Sequence, residues 1–495
     1  MSIKFYNTLT KKKEEFKPIN DKTVKMYVCG PTVYDYFHIG NARSFIMADV
    51  IRRYFEYRGY DVKFIMNITD VDDKIIKKAN EEGVSSDVIA EKYTKAFLED
   101  IEKLGIKRAT INPKATENIQ EIIKIIEKLI SSGIAYQLGN DVYYSIDKFS
   151  QYGKLSGKNI DELISGARVE VDENKRNPLD FALWKGAKEG EPSWDSPWGK
   201  GRPGWHIECS AMAMKYLGDT IDIHCGGNDL IFPHHENEIA QSEASSGKPF
   251  SNYWIHFGFL NIDNEKMSKS LGNFFTTREI LDKYPANALK FYYYQTHYAS
   301  PLNFTKDGLE AAKNGIERIN NTLQELKYNL SEGKEGNYEI NIKEYEDKFV
   351  EVMDDDFNTP KGLSVLFELI KDINVCVSSG NLLKIENINN LINFFDRILN
   401  GVFGLNLSAY KNELSDKIIS RFKEKRETFE NIVEQKIENY DSENISKLIN
   451  HLIEVRKEAK KSKKWNLADQ IRNELKEIGI LLEDRKDGST IWKAE

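Results

Sequence analysis

Two cysteines, a histidine and a glutamate are the residues of this chain best suited to bind a metal ion together. Cys29 lies in YVCGPTVYDYFHIG, and Cys209 lies far downstream in RPGWHIECSAM. His234 and Glu238 follow in FPHHENE at helical spacing, so on a helix both side chains project from one face. Thiolates and an imidazole suit zinc, and a carboxylate is an acceptable fourth ligand. No local zinc-finger spacing links the four, so only a fold that gathers several elements can assemble this site.

The residue types leave alternatives open at this point. Cys225 and His235 are rival ligands that composition does not exclude. Buried cysteine is common in proteins, so the two cysteines can equally be apolar core thiols and the His–Glu pair a surface pair. Cys376, on the apolar face of a predicted helix, is interpreted as a core residue.

Two further strings have the composition of phosphate-binding elements. His38-Ile39-Gly40-Asn41 forms a turn that leads into a predicted helix, and anions bind readily at such a helix start. Lys266 and Lys269 lie in KMSKS on a short Ser/Gly loop, where two lysines can neutralise a polyphosphate. The alternatives are an ordinary turn with a helix-capping asparagine and a solvated basic loop. The occurrence of both strings in one chain favours the phosphate interpretation.

Parallel strands are expected to position these residues. Residues 24–28 (VKMYV) and 62–69 (VKFIMNIT) have the composition of buried strands, and a predicted helix at about 41–58 separates them. Strand, helix and strand in this order predict a parallel Rossmann-like sheet, whose ligands bind at the carboxyl ends of the strands. Cys29 and Thr69 both fall at such ends. The later stretches TIDIHCGG and YWIHFGFLNI are expected to complete the sheet.

The rest of the chain is predicted to be an insertion followed by a helical half. The insertion begins with a long amphipathic helix and ends in a loop rich in Trp, Pro and Gly. After about Thr305 the pattern is almost entirely helical, with Thr359-Pro360 expected to be the cap and first position of one helix. Residues 406–450 are expected to form a helical connector, and a hairpin around Asp487-Gly488 is predicted near the end.

Composition restricts the class of protein. The 495 residues are 40% hydrophobic and 30% charged, which is enough for several cores. No apolar run approaches the ~20 residues of a membrane span, and the first residues lack the apolar core of a signal peptide. Four cysteines in a chain of this length do not indicate a disulfide scaffold, so a reduced, cytoplasmic enzyme is expected. The formal charge of −8 gives no general argument for binding nucleic acid, so such contacts must come from local patches.

Long strings of this chain resemble one enzyme family. HIGN and KMSKS resemble the two signatures of class I aminoacyl-tRNA synthetases. YVCGPTVYDYFHIGNARSF, GRPGWHIECSAM, IHCGGNDLIFPHHENEIAQSE and EKMSKSLGN are similar to cysteinyl-tRNA synthetases, as are MDDDFNTP and the basic WNLADQIRNEL segment followed by GILLED. One departure is Asn41, where many class I enzymes have a second histidine. Asparagine still donates to a phosphate oxygen but carries no charge.

The resemblance implies an α/β fold with a Rossmann-like parallel-sheet catalytic domain and an insertion, followed by an α-helical bundle and a small mixed C-terminal anticodon-binding domain. We therefore expect these domains: 1–112 (first catalytic half), 113–199 (connective insertion), 200–260 (second catalytic half), 261–310 (lysine loop and stem contact), 311–405 (helical bundle) and 406–495 (helical connector and anticodon-binding region).

The resemblance also assigns roles to individual residues. The family pattern makes Cys29, Cys209, His234 and Glu238 the ligands of one Zn²⁺ per chain, and it selects His234 over His235. Residues around the amino-acid pocket are expected to be Thr69, Trp205, His224 and His256. Residues that contact ATP, which is bound with Mg²⁺, are expected to be His38, Gly40, Asn41, Asp229, Lys266 and Lys269. Of these, His38, Asn41, Lys266 and Lys269 are expected to be catalytic.

The implied activity is that of a cysteine–tRNA ligase. Its partners are then L-cysteine, ATP and a cysteine tRNA, with no membrane, and a monomer is expected. The basic run Arg456–Lys464 with Trp465 is a candidate contact for RNA, although a solvated helix face is the alternative.

Two other functions are weighed against this one. A zinc-dependent ligase that joins cysteine to an amino-sugar pseudodisaccharide, as in mycothiol synthesis, shares the catalytic core but has a reduced carboxyl-terminal extension. A non-catalytic RNA-binding paralogue with a structural zinc is the other alternative, and the intact lysine loop and phosphate turn argue against it. Measuring whether cysteine is transferred to tRNA or to the amino sugar distinguishes the tRNA ligase from the sugar ligase. Cysteine-dependent ATP–pyrophosphate exchange excludes the non-catalytic paralogue.

Overall fold

The computed structural model describes residues 2–158, 175–266, 274–333, 335–407, 418–434, 442–484 and 490–494. The strands are β1 Lys4–Asn7, β2 Lys12–Glu15, β3 Thr23–Val28, β4 Asp61–Met66, β5 Ala135–Leu138, β6 Asp141–Tyr144, β7 Phe181–Gly186, β8 Gly201–Pro203, β9 Ile221–Gly227, β10 Ser251–Phe257, β11 Leu260–Ile262, β12 Glu265–Lys266, β13 Leu302–Phe304, β14 Ile480–Asp484 and β15 Thr490–Ala494. The helices of the first 300 residues or so are α1 Ile39–Tyr57, α2 Asp73–Glu82, α3 Ser86–Lys103, α4 Ile119–Ser131, α5 Trp205–Leu217, α6 Glu236–Ser246, α7 Thr277–Leu281 and α8 Ala286–Tyr294. The later helices are α9 Lys306–Ser331, α10 Ile342–Asp354, α11 Thr359–Ser378, α12 Ile385–Asp396, α13 Arg426–Val433, α14 Ser442–Lys461 and α15 Trp465–Glu477.

A four-stranded parallel sheet lies in the amino-terminal part of the chain. Its strand order is β10-β9-β3-β4, and β3 pairs in parallel with both β4 and β9. The predicted strand–helix–strand unit is therefore confirmed, with α1 as the connection. Strand β4 ends at Met66, so Asn67 and Thr69 lie beyond the carboxyl end of the strand. Because all four strands run the same way, the residues that follow them lie along one edge of the sheet.

The prediction that YWIHFGFLNI continues this sheet is correct only for its first part. Strand β10 ends at Phe257, and β11 pairs instead with β12 and β13. At Gly258 a Cβ atom would lie 2.3 Å from the carbonyl oxygen of Ser300. The buried guanidinium of Arg43 donates to the carbonyl oxygens of Gly258 and Phe259 at 2.9 and 3.0 Å. This close packing redirects the chain between the two strands.

The insertion contains a second sheet that the hydrophobic pattern did not predict. Its amphipathic helix α4 buries five isoleucines and a leucine, as expected from the sequence. Strands β5, β6, β7 and β8 form an antiparallel sheet in that order. Strand β8 ends at Pro203, so this sheet extends past the predicted boundary at residue 199. These strands have only three to six residues each, too few for a clear alternating pattern.

By contact density the chain divides into two compact units, Met1–Thr322 with Leu326–Leu405, and Leu323–Glu325 with Asn406–Glu495. In the first unit, helix α11 is capped by Asn358, whose side chain accepts from the backbone N–H of Lys361 at 3.2 Å. The predicted cap at Thr359 is thus displaced by one residue. In the second unit, α13 to α15 and the β14–β15 hairpin share an apolar core. The turn at Asp487-Gly488 lies outside the described residues.

None of the helices in the described part of the chain is both long and apolar enough to cross a membrane.

Candidate metal centre and nucleotide face

Four side chains from three segments of the sequence meet beside the carboxyl ends of β3 and β9. Cys29 directly follows β3, and Cys209 lies in the second turn of α5. His234 lies two residues before α6, and Glu238 lies in the first turn of that helix. All four are buried, and one potential ligand atom from each lies within 4.8 Å of the others. These four residues are called the metal corner below. The structure thus brings together all four of the residues that the sequence singled out.

The carboxylate of Glu238 connects the metal corner to neighbouring histidines. One oxygen, Oε1, lies 2.9 Å from His234 Nε2 and 3.5 Å from Cys29 Sγ. The other, Oε2, lies 2.8 Å from His224 Nε2. Burial disfavours the carboxylate, but His224 and His234 lower the pKa of Glu238 to about 2. The group therefore stays ionised in the interior.

A second donor set overlaps the first. Cys29, His224, His235 and Glu238 also place one potential ligand atom each within 4.8 Å of one another. Cys29 Sγ lies 3.3 Å from His235 Nε2, which makes this histidine a real neighbour of the metal corner. Cys225, the other rival ligand, belongs to neither set, and burial raises the pKa of its thiol.

The thiols of the metal corner differ in protonation. A hydrogen bond with the Cys29 thiol lowers the pKa of Cys209 to about 6, against the effect of burial. Burial and that same contact raise the pKa of Cys29 well above its usual value. Burial disfavours an imidazolium at His234, but Glu238 and Cys209 raise its pKa to about 10. Two sulfurs, an imidazole and a buried carboxylate are a donor set that fits zinc.

A chain of imidazoles supports the metal corner from the sheet side. His235 Nδ1 lies 2.8 Å from His256 Nε2, and His256 Nδ1 lies 2.8 Å from Thr8 Oγ1. Burial lowers the pKa of His256 to about 3, so this ring is neutral. The ring of His224 stacks on Trp254 at 4.5 Å between centroids. Both histidines predicted to surround the amino-acid pocket therefore lie next to the metal corner.

Trp205 and Thr69 lie on the side of the metal corner toward α2. The Trp205 ring stacks on His234 at 4.3 Å and is 39% exposed. Thr69 is buried, and its backbone N–H donates to the carbonyl oxygen of Pro31 at 3.0 Å. The partly exposed indole of Trp205 thus lies against the metal corner, while Thr69 is held at the end of β4 by backbone contacts.

Two residues of this region were not singled out from the sequence. His206 Nδ1 lies 2.9 Å from His234 Nδ1, and burial lowers the pKa of His206 well below its usual value. Glu208 is fully buried, and burial together with the charge of Cys209 raises its pKa. Both lie within the string GRPGWHIECSAM, and two polar residues shortly before the predicted ligand Cys209 were the available signal.

The HIGN turn is formed by backbone contacts. His38 caps α1, because its Nδ1 accepts from the backbone N–H of Asn41 at 3.2 Å; the capping residue is thus the histidine and not the asparagine. The N–H of Ile39 donates to the carbonyl oxygen of Phe275 at 3.2 Å, and the His38 ring lies edge-on to Phe274 at 5.5 Å. Residues 38–41 and 274–276 are called the nucleotide face below.

The lysine loop is described only at its two ends. Residues 267–273, which include Lys269, lie outside the described residues, and Lys266 is described by its backbone alone. The backbone of Lys266 pairs with Asn261 in the β11–β12 hairpin. Phe274, at the other end, contacts the HIGN turn. Asp229, predicted to contact ribose, is exposed in a short turn after β9.

The basic run near the carboxyl terminus is partly engaged within its own unit. Arg456 is buried and donates to both carboxylate oxygens of Asp484, at 2.7 and 3.0 Å. Lys460 donates to the same carboxylate at 2.7 Å. Trp465 begins α15 and is 58% exposed. Arg456 thus stabilises this unit, while Trp465 presents an open aromatic face.

Comparison with protein families agrees with this arrangement along the chain. Residues 15–314 match the class I (C) catalytic domain of tRNA synthetases. Residues 348–408 match the DALR domain, and residues 443–491 match the anticodon-binding domain of cysteinyl-tRNA ligases.

Solved structures show the same fold at low sequence identity. A methionyl-tRNA synthetase of Mycobacterium tuberculosis, in complex with methionyl-adenylate, is similar with a TM-score of 0.57 and 15% identity, over 72% of this chain and 84% of that chain. The agnB2 LeuRS of Agrobacterium radiobacter K84, in a ternary complex with tRNA and LeuAMS, has a TM-score of 0.58 and 10% identity, over 79% of this chain and 85% of that chain. The catalytic match alone covers more than half of the sequence, and the chain belongs to the class I cysteinyl-tRNA synthetase family.

Proposed function

We propose that this cysteine–tRNA ligase binds one zinc ion through Cys29, Cys209, His234 and Glu238 and uses it to select its amino acid. The observation that supports this most is the buried meeting of their four donor atoms within 4.8 Å. Zinc is favoured because soft sulfur donors outnumber the oxygen donors that magnesium or calcium prefer. His224 and His235 would then not bind the zinc ion themselves. They would contact the ligands Glu238 and Cys29 and fix their orientation, as residues next to metal ligands commonly do.

The proposed role of the metal is to recognise a thiol. A bound zinc ion would favour the thiolate of the substrate, whose free pKa is about 8.5, over the hydroxyl of serine. Pockets that rely on shape alone separate close analogues by only about 10–200-fold, whereas protein synthesis needs roughly 10⁴–10⁵. Metal–thiol recognition supplies that difference without a separate editing site.

The residues next to the metal corner are proposed to enclose the amino acid. Trp205 covers the pocket on the side of His234, and Thr69 provides a polar wall at the end of β4. His224 and His256 are proposed to border the pocket on the sheet side, where both belong to the histidine network of the metal corner.

ATP with Mg²⁺ is proposed to bind at the nucleotide face. His38, Gly40 and Asn41 would contact its phosphates at the start of α1, Lys266 and Lys269 would neutralise the pyrophosphate, and Asp229 would contact the ribose. The contact of Phe274 with His38 supports this, since it brings one end of the lysine loop to the HIGN turn.

The reaction then has two steps. A carboxylate oxygen of cysteine attacks the α-phosphorus of ATP, and the bond to pyrophosphate breaks. A ribose hydroxyl of the terminal tRNA adenosine next attacks the carbonyl carbon, and AMP leaves. No covalent bond to the protein is needed, so His38, Asn41 and the lysines act by positioning and charge stabilisation.

The same proposal covers the partners and the compartment. Residues 443–491 would bind the anticodon of a cysteine tRNA, with Trp465 as a candidate stacking residue. All four cysteines are free thiols in the structure, and metal binding requires reduced cysteines. A location in the reducing cytoplasm is therefore proposed, and the protein is proposed to be a monomer.

Metal analysis combined with ATP–pyrophosphate exchange tests this function. We expect about one zinc per chain, exchange that depends on cysteine, and serine exchange lower by at least about 10⁴-fold in kcat/KM. Transfer of cysteine to an amino sugar but not to tRNA would contradict the assignment of the acceptor.

A further inference from the structure

Glu208 is a buried carboxylate without a visible partner. It lies in the first turns of α5 and is 0% exposed. Neither Oε1 nor Oε2 has a hydrogen-bond partner among the described residues. An unpaired carboxylate in the interior is costly, because removal from water is not offset by hydrogen bonds or an opposite charge. Such a group is expected where a ligand supplies the missing partner.

Glu208 lines a cleft of about 230 Å³ between α2, β7, β8 and α5. Trp205 and His206 line the same cleft, which therefore adjoins the metal corner. Glu208 also directly precedes Cys209, a member of the metal corner, in α5. The cleft is thus continuous with the residues that we propose enclose the amino acid.

The other charged groups that line this cleft already have partners. Lys185 donates to Asp73 at 2.7 Å, and Arg202 forms an ion pair with the same carboxylate. The side chain of Asp72 accepts from the backbone N–H of Lys74 at 2.8 Å, which caps α2. Within the described part of the chain, Glu208 is the charged lining residue whose side-chain oxygens have no hydrogen-bond partner. Its missing partner is expected to be a cation or strong donor that enters with a ligand.

The position of Glu208 next to Cys209 indicates which cation. In cysteine the ammonium group lies only three bonds from the sulfur atom. A ligand whose thiol is bound at the metal corner must therefore carry its ammonium group close to that corner. The side chains of adjacent residues on a helix diverge, so α5 presents a thiol to the metal and a carboxylate to the neighbouring space.

We propose that Glu208 accepts the α-ammonium group of the bound amino acid and is a second specificity-determining residue beside the metal corner. This inference rests on the proposed function, because it assumes that the substrate thiol occupies the metal corner. The two contacts together recognise an amino thiol and would reject thiols that lack the ammonium group. Truncating one partner of a buried charged pair weakens binding by about 100-fold or more.

The test compares two ligands on two proteins by calorimetry with the full-length, zinc-loaded chain. The ligands are L-cysteine and 3-mercaptopropionate, which keeps the thiol and the carboxylate but lacks the amine. For Glu208→Gln we expect about 100-fold weaker cysteine binding but a change of less than about 3-fold for 3-mercaptopropionate. Glu208→Asp retains the charge and is expected to lose less cysteine affinity than Glu208→Gln.

Glu236→Gln is the matched control. Glu236 is another fully buried glutamate, but its carboxylate accepts from the backbone N–H groups of Leu155 and Ser156, at 3.4 and 2.8 Å. We expect this variant to leave the ratio of the two ligand affinities unchanged. Equal weakening of both ligands by Glu208→Gln, at unchanged zinc content, would overturn the inference, and so would unchanged affinity for cysteine.

The outcome for the wild-type protein separates this inference from the proposed function. If wild-type protein binds neither thiol in a zinc-dependent manner, the proposed function fails. If it binds both and only the cysteine-specific effect of Glu208→Gln is missing, the inference about Glu208 alone fails.

Discussion

The metal corner and the nucleotide face belong to the same sheet region but are arranged by different forces. In the metal corner, buried side chains contact one another, with His234 and Cys29 at 2.9 and 3.5 Å from one carboxylate oxygen. In the nucleotide face, backbone pairing between 38–39 and 275–276 provides the framework, and His38, Gly40 and Asn41 remain partly exposed.

This difference corresponds to two tasks. Recognition of one small amino acid requires donors fixed in advance and shielded from water, where each contact discriminates more strongly. ATP and pyrophosphate must enter and leave, so the groups proposed to contact them lie at an accessible turn. Each of the following changes affects one region and is expected to leave the other intact.

The largest expected effect is that of Cys209→Ser on the metal corner. The hydroxyl is a poor ligand for zinc, so we expect loss of bound metal and a decrease in cysteine-dependent exchange of more than about 100-fold. ATP affinity is expected to change by less than about 3-fold. Metal analysis, exchange kinetics and ATP titration measure the three quantities.

Cys376→Ser is the matched control for that variant. Cys376 is buried in α11, remote from the metal corner in sequence and outside both donor sets. It is expected to leave zinc content and exchange unchanged. Normal zinc content and exchange in Cys209→Ser would disprove the ligand assignment.

Lys269→Ala is expected to have the next largest effect, on the nucleotide face. Loss of a charge aimed at the leaving pyrophosphate slows adenylate formation by about 100-fold. Cysteine affinity and zinc content are expected to stay within about 2-fold of wild type. Single-turnover kinetics measure the rate of this step.

Lys283→Ala, at an exposed lysine just after α7, controls for the loss of positive charge. A parallel loss of cysteine affinity and adenylate formation in Lys269→Ala would mean that this lysine supports the structure of both regions.

A comparison of His234→Asn with His235→Asn sharpens the definition of the metal corner. Both histidines contact its members, His234 through Glu238 and His235 through Cys29. If His234 is the ligand, its replacement lowers zinc affinity by more than about 100-fold, and the replacement of His235 by only about 10-fold. Competition with a zinc chelator measures the two zinc affinities. A larger loss of zinc affinity in His235→Asn than in His234→Asn would mean that the overlapping donor set binds the metal.

The smallest effect on cysteine activation is expected from Asp484→Asn in the second compact unit. This change leaves the buried guanidinium of Arg456 without its carboxylate and should cost about 1 kcal/mol of stability at neutral pH. Cysteine-dependent exchange is expected to stay unchanged, while charging of tRNA decreases. A loss of cysteine-dependent exchange would show that the second compact unit also influences the metal corner or the nucleotide face.

The same pair predicts a pH dependence. Hydrogen bonds from Arg456 and Lys460 hold the pKa of Asp484 below its usual range. Because the folded-state pKa is lowered, the stabilisation is present above the unfolded value of about 3.9 and is lost as pH falls below it. Thermal unfolding monitored between pH 6 and pH 3 should show this loss in the wild type, and Asp484→Asn should lack this contribution.

The sequence was sufficient for the parts of the fold that depend on local pattern. The strand at 24–28, the helix after it and the parallel strand predicted at 62–69, which ends at Met66, follow from runs of apolar residues and turn signals. The residue types and their spacing made a metal site one of several open interpretations, with Cys225 and His235 as rival ligands, and only the family resemblance selected the four residues of the metal corner.

Other features depend on contacts that pattern does not encode. The antiparallel sheet of the insertion consists of strands too short for a periodic signal. The separation of β10 from β11 depends on the packing of Gly258 against Ser300 and on Arg43, which is far away in sequence. His206 and Glu208 become distinctive only through burial and through the presence or absence of partners.

Metal removal is the most direct test of the central claim, which is that the metal corner selects cysteine through zinc. Wild-type protein is depleted with a chelator, and ATP–pyrophosphate exchange is measured with cysteine and with serine before and after zinc is restored. We predict that depletion abolishes exchange with cysteine while ATP still binds, and that one equivalent of zinc restores exchange for cysteine alone. Undiminished cysteine exchange by the zinc-free protein would contradict the account.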